Sequence, residues 1–525
     1  MREKKNRGDS INADHLRRLT QIGTALSAEK DIDRLLEKIL TEARIITGAD
    51  GGTLYLMSAT ESELHFALVQ NESLGLNMGG TGGKITWPPV KLTGADGQAN
   101  HANVSAHAAI TGQTVNIADV YDAPGFNFEG PRTFDQNAGY RTRSMLVVPM
   151  RDHANNIIGV LQLLNATDPV TRQVVPFSGE AQELAWSLAS QAAVALTNNM
   201  LIAELEDLLD AFIKSIAIAI DEKSPYTGGH VRRVADLTMR IAETINEASE
   251  GYFASLSFSD DEMRELRMAA WLHDIGKITT PEHVVDKSTK LETIHDRIED
   301  VKVRFEWLKR EHQMAIKNAE GPDGHATRDS EAEIKALDDE YQFLVQVNSG
   351  NEFIQDHMIE RIEQIGKRQW STSVQTMPLL TQDEIYNLSI RRGTLNDKER
   401  IIINNHASIT YKMLANLPFP RKFKRIAEFA AGHHERVDGS GYPLGLKGDQ
   451  FPLQSRIIAL ADIFEALTAK DRPYKKGKTL GEALAIMDLM VKDRHIDSDI
   501  YEIFVKEKIY MDYAVKELLP QQIDI

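Results

Sequence analysis

Apolar residues recur at helical spacing in two early stretches, residues 16–26 and 32–46. Alternation then replaces that period. Residues 53–57 and 63–70 read as a strand pair, and residues 145–149 with 156–164 as a second hairpin turning at 152–155. Between the two hairpins, residues 74–120 hold no sustained period and are rich in Gly, Asn and His, which predicts irregular chain. An amphipathic helix over 177–199 closes the segment. Helix, antiparallel strands and a final helix predict an α+β domain over residues 14–199. From Leu196 to Ile220 neither Gly nor Pro interrupts the helical pattern. Residues 200–220 therefore predict a helical connector, able to pass a rotation or register shift along the chain.

Residues 206–525 are expected to form a second, all-α domain, on a resemblance given below. Within it, Leu291, Ile294, Ile298, Val301, Phe305 and Leu308 alternate spacings of three and four, which predicts a packed seam. A polar break containing Gly321-Pro322-Asp323-Gly324 precedes a resumption at Ile334, Leu337, Tyr341 and Leu344, then at Ile354, Met358, Ile362 and Ile365. Residues 292–391 thus predict a helical insertion serving packing or self-association rather than chemistry.

Composition narrows the function. A chain of 525 residues is too long for one compact core. Its 77 acidic side chains outnumber 60 basic ones, which argues against a broad surface for duplex nucleic acid but leaves room for a small anionic ligand. Cysteine is absent, so any metal must rest on His and carboxylates, and the lack of disulfides suits a reducing compartment. No stretch approaches the ~20 apolar residues that a membrane span requires, and the polar N-terminus is followed by no apolar segment of a signal peptide. These features predict a cytoplasmic protein with no membrane span.

Candidate chemistry lies at five places. His230 opens an amphipathic helix, and His273-Asp274 ends the apolar run 268–272. His406 follows Asn404-Asn405. His433-His434 leads into Glu435-Arg436-Val437-Asp438-Gly439-Ser440-Gly441-Tyr442-Pro443, and Asp462 sits in the apolar stretch 457–467. A carboxylate in so apolar a helix must meet a cation, because an unpaired buried charge is very costly. Imidazole and carboxylate ligands suit iron, manganese or zinc. The glycine-rich run 79–83 looks like a phosphate loop, but Met78 and Ile85 stand where that loop requires Gly and Ser or Thr.

The His-Asp doublet, the His-His pair and the Gly-Tyr-Pro turn, in this order, resemble the HD-GYP phosphodiesterases over residues 206–290 and 391–490. Residues 139–150, 158–165 and the helix after Phe177 resemble a GAF domain, which leaves open a small-molecule sensor or a dimerisation module. The resemblance implies two divalent metal ions, iron first and manganese the alternative. Asp274 would bridge them, with His230, His273 and Asp462 on one ion and His406, His433 and His434 on the other. Such a pair acidifies a water for attack on phosphorus. The implied substrate is cyclic di-GMP, cleaved to pGpG, with a further step to GMP left open. Asp274 and Lys277 would be the catalytic pair, and Lys277, Gly441, Tyr442, Pro443, Arg472 and Lys475 the substrate contacts. Gly439 and Gly441 are expected at positive φ in a tight turn that presents Tyr442. Residues 287–291 and 392–395 both look like the family's single Lys-x-Gly-x-Leu loop, split by the insertion. Tyr226 stands where three-metal members carry Glu, which implies two ions, with Asp221 and Glu222 as nearby acids. A homodimer is expected. Two other readings stay open: a non-catalytic receptor for the dinucleotide, and an HD hydrolase of another cyclic dinucleotide.

Overall fold

The computed structural model describes residues 17–94, 96–223, 229–317, 330–372, 374–470 and 477–525, and the backbone alone of 318 and 325–329. It divides into two compact units, Met1–Leu208 and Leu209–Ile525.

The first unit is a three-layer α+β structure. Its helix Ile32–Thr47 begins where the Asp31 side chain accepts the Arg34 N–H and ends where Gly48 takes a φ of 68°. An antiparallel sheet runs in the order Leu76–Gly79, Glu63–Asn71, Ala49–Met57, Ile157–Thr167, Met145–Arg151, Val115–Ile117. Strand alternation divides the side chains between two cores. Leu161, Leu163 and Val148 face Leu35, Ile39, Leu188 and Ala192 of the flanking helices. On the other side Tyr55, Val147 and Val160 pack with Val104, Ala108 and Phe128. The expectation of irregular chain over 74–120 is corrected here. That stretch contains the strands Leu76–Gly79, Val90–Lys91 and Val115–Ile117 and the helix Val104–Thr111. Each is too short to express a period. The helix is set by its ends, Asn103 capping the Ala106 N–H and Gly112 at φ 64°. The run without Gly or Pro forms one helix, Gly179–Asp221, and the division between units falls within it.

The second unit is helical apart from a strand pair, Gln369–Ser371 with Thr376–Pro378, among the described residues. Its main core joins Val234, Ile241, Leu266, Phe429, Ile458 and Phe464. The segment expected as an insertion builds a core of its own, from Leu291, Val301, Phe305, Leu337, Leu344 and Ile362. Ile294 departs from the expected seam and is 98% exposed, because helix begins only at Ile298.

The two flanks of the insertion meet through buried lysines. Lys290, with no exposed surface, donates to the carbonyls of Leu388 at 3.0 Å and Ile390 at 2.8 Å. Outside it, Thr394 Oγ1 donates to the Lys287 carbonyl at 3.0 Å, and Lys287 Nζ lies 2.7 Å from Glu399. Lys290 and Leu291 therefore pack with residues 292–391, the segment expected as an insertion. Replacing residues 289–392 by a short Gly-Ser bridge is predicted to leave a folded protein that retains its metal. Metal analysis on the shortened protein checks this, and metal loss from a folded remainder would contradict the map.

Burial pushes the Lys290 ammonium down from 10.5 to about 8. Below pH 8 both folded and unfolded chains hold this proton, and the cost of burying the charge is present in full. As pH rises from 8 towards 10.5 the folded chain sheds the proton while the unfolded chain keeps it, so stability rises. Denaturant midpoints of wild type and Lys290→Met, measured from pH 7 to 10, should therefore diverge above pH 8 in favour of wild type. Parallel curves would contradict the assignment.

Candidate metal centre

Seven histidines and acids arrive at one point from five segments, His434 beside His433 among them. His230 is the first residue of helix His230–Glu247, and His273 ends helix Asp260–Leu272 with Asp274 directly after it. His406 lies within helix Asp397–Ala415, His433 in the turn Gly432–His434, and Asp462 within helix Leu453–Thr468. Close backbone approach makes this convergence feasible. A Cβ on Gly276 would lie 2.0 Å from the His406 carbonyl, so only glycine lets the His-Asp turn pack against that helix. Thr410 pins the same contact, accepting the Gly276 N–H at 3.0 Å and donating to the His273 carbonyl at 3.1 Å. Gly432 similarly leaves room for Ser455, on the helix that carries Asp462.

The imidazoles are held in one tautomer. The Nδ1 atoms of His273, His406 and His433 face the carbonyls of Ala270, Ile403 and Ala430 at 2.8, 2.5 and 2.6 Å. A carbonyl can only accept, so each Nδ1 carries the proton and each Nε2 presents a lone pair. Those lone pairs turn inward onto Asp274. Its Oδ2 lies 3.5 Å from His230 Nε2 and 3.4 Å from His273 Nε2. Its Oδ1 lies 3.4 Å from His406 Nε2 and 3.8 Å from His433 Nε2. Asp462 Oδ1 is 3.3 Å from His230 Nε2. Among the described residues, His273 Nε2 and Asp274 Oδ1 are buried with no hydrogen-bond partner. Around Oδ1, acceptors face acceptors, an arrangement that repels unless cations stand between them. Imidazole and carboxylate donors facing one another in this way fit divalent ions. Two triplets with mutually close ligand atoms emerge, His406 with His433 and His434, and His230 with His273 and Asp462.

Electrostatics separates the triplets. Burial holds His406 and His433 below the ordinary imidazole range and brings His434 down to about 3, so these rings are neutral ligands. His230 is the opposite case. Burial would lower it, but Glu465 and the carboxylates of Asp274 and Asp462 raise it well above the usual value. Asp274, despite burial, is held well below the carboxylate range by Lys277 and His273.

The expected substrate contacts are placed as follows. Lys277 Nζ lies 2.5 Å from Asp274 Oδ2, at the edge of the cluster. The Tyr442 ring packs on His434, with centroids 4.8 Å apart, and burial raises its phenol. Gly439 has the expected positive φ of 82°. Gly441 does not, and the expectation is corrected: a Cβ there would lie 2.5 Å from the Arg436 nitrogen, so its glycine answers close approach. Pro443 completes this turn. Arg472, Lys475 and Tyr226 lie outside the described residues. Asp221 Oδ2 accepts the Val231 N–H at 3.2 Å, at the start of the His230 helix.

Two acids missed in the sequence do much of the positioning. Glu465, 1% exposed, lies 2.6 Å from His230 Nδ1 and accepts from Arg233 Nε at 2.7 Å. It stands three residues after Asp462, and the desolvation argument that selected Asp462 applied to it equally. Glu435 accepts the N–H groups of Leu444, Gly445 and Leu446, at 2.6, 3.1 and 2.9 Å, and so shapes the loop behind Tyr442.

Three stretches of the chain match known domain families. Residues 31–196 match the GAF domain family, residues 227–341 the HD domain family, and residues 370–500 a further HD domain model. The first unit is thus similar to GAF domains and the second to HD domains. A 3′3′-cGAMP-specific phosphodiesterase 3 of Vibrio cholerae serotype O1 is 28% identical over 283 residues, 53% of this chain and 36% of that protein. A 3′3′-cGAMP-specific phosphodiesterase 1 of the same organism is 39% identical over 128 residues, 24% of this chain and 28% of the relative. A cyclic di-GMP phosphodiesterase of Thermotoga maritima is 36% identical over 129 residues, 24% of this chain and 34% of the relative. The chain thus spans about a third of the length of the curated relatives it matches.

Glu465→Gln should weaken metal retention by about 10–100-fold while helicity is unchanged, because His230 loses the carboxylate that orients it. Competition with a chelator of known affinity reads the effect, and unaltered affinity would show that Glu465 serves the fold alone.

Proposed function

We propose that the HD-GYP domain hydrolyses cyclic di-GMP to pGpG with two divalent ions, iron or manganese. The observation that carries this reading is Asp274, whose two buried oxygens face different pairs of imidazole nitrogens. His230, His273 and Asp462 would hold one ion, and His406, His433 and His434 the other, with Asp274 between. The ions would supply an acidified water and charge stabilisation at phosphorus. Lys277 offers a point charge to a phosphate oxygen, and Tyr442, fixed by His434 and by the turn through Gly441 and Pro443, offers a surface for the substrate. Arg472 and Lys475 complete the proposed contacts. The absence of cysteine supports a cytoplasmic setting. Among the described residues, no helix is long and apolar enough to cross a membrane. A homodimer is supported by exposed Val194, Leu201, Leu205 and Leu208, which recur along one helix at heptad spacing.

The matched relatives named for 3′3′-cGAMP favour a second reading, hydrolysis of that dinucleotide by the same site. Protein loaded anaerobically with ferrous iron or manganese should convert cyclic di-GMP to pGpG faster than it cleaves 3′3′-cGAMP. Asp274→Ala should lose activity by on the order of 10³-fold or more, because both ions lose a shared ligand. Preference for 3′3′-cGAMP would transfer the assignment to the second reading. No turnover of either would leave a receptor.

A further inference from the structure

The first unit encloses a cavity of about 350 Å³ on the sheet face opposite the Ile32–Thr47 helix. Four rings form a continuous wall towards its mouth. Tyr55 meets Phe66 with centroids 4.7 Å apart, Phe66 meets Trp87 at 5.3 Å, and Trp87 meets Phe134 at 6.1 Å. Trp87 and Phe134 are each 36% exposed, so the wall ends in solvent. Among the described residues no Lys, Arg, His, Asp or Glu lines the cavity. Burial lifts the Tyr55 phenol to about 12, so no charge arises there at neutral pH.

One polar group in the cavity is out of place for a sheet interior. Gln162 lies on a central strand, paired with Thr53 on one side and Val147 on the other. Its Oε1 accepts from Ser105 Oγ at 2.8 Å and from Tyr55 OH at 3.3 Å. With the oxygen doubly occupied, the carboxamide NH2 is left as a donor, and no described residue accepts from it. Two helix N-termini also reach the cavity, but their donors are largely spent. Asn103 takes the Ala106 N–H, Asn127 takes the Glu129 N–H, Pro131 has none, and Glu129 adds a carboxylate to the same turn.

We propose that this cavity binds an uncharged, flat molecule with a hydrogen-bond acceptor that meets the Gln162 NH2, and that it rejects anions. The rings match a flat face. Burying a carboxylate or phosphate there would strip its water without providing a cation. The proposal is independent of the hydrolase reading, because the catalytic residues take no part in it.

A matched pair of probes tests it on the full-length protein: indole-3-acetamide and indole-3-acetate, which differ in charge, with cyclic AMP as a second anion. Calorimetric titration at neutral pH should show saturable binding of the amide, at least about tenfold tighter than of either anion. Gln162→Leu should weaken amide binding by about tenfold with the melting temperature preserved. Should that variant fold poorly, Phe134→Ala at the mouth reads the same site and should also weaken the amide. Tighter binding of either anion overturns the proposal. So does failure of the amide to saturate at millimolar concentration, or amide affinity unchanged in the folded variant.

Discussion

The second unit is organised around one buried carboxylate. Protein contacts satisfy only half of Asp274, through Lys277 at Oδ2. Its Oδ1 is buried without a hydrogen-bond partner among the described residues and faces imidazole nitrogens that present lone pairs. A group so placed costs stability unless a cation repays it, and removing one member of such a set is more damaging than never having built it. The arrangement is therefore deliberate at several removes. Glycine at 276 and at 432 lets backbones approach where a Cβ would collide. Carbonyls one turn back fix three histidine tautomers. Glu465, braced by Arg233, fixes a fourth ring.

The segment read from the sequence as an insertion is packed apart from these ligand candidates. The inserted helices bury their own apolar faces in a separate core, and their neck is closed by Lys287, Lys290 and Thr394 rather than by any metal-ligand candidate. The ligand candidates lie on helices that pack into the main core on either side of the neck. In the first unit the same separation holds at smaller scale. One sheet face is committed to packing under two helices, and the other keeps a cavity walled by rings.

Much of this was legible in the sequence, for identifiable reasons. Long periodic segments declared themselves, as with the helices Ile32–Thr47 and Gly179–Asp221 and the paired strands Met145–Arg151 and Ile157–Thr167. The ligand candidates His230, His273, Asp274, His406, His433, His434 and Asp462 are types whose burial needs an explanation. What escaped was set by tertiary contact. The helix Val104–Thr111 is capped rather than periodic. Ile294 fits a heptad on paper, yet lies in chain that does not become helical until Ile298. Gly441 is required by the proximity of Arg436, which no spacing reveals. Glu435 and Glu465 act through hydrogen bonds to groups distant in sequence or in the loop they shape, and charged residues near an apolar run do not announce such partners.

The central claim is that the two oxygens of Asp274 address separate cations. Anomalous scattering from crystals of the manganese- or iron-loaded protein tests it most directly. The account predicts two metal peaks, one among His230, His273 and Asp462 and the other among His406, His433 and His434, with Asp274 bound to both. A single peak, or two peaks that leave either Asp274 oxygen without an ion, would contradict it.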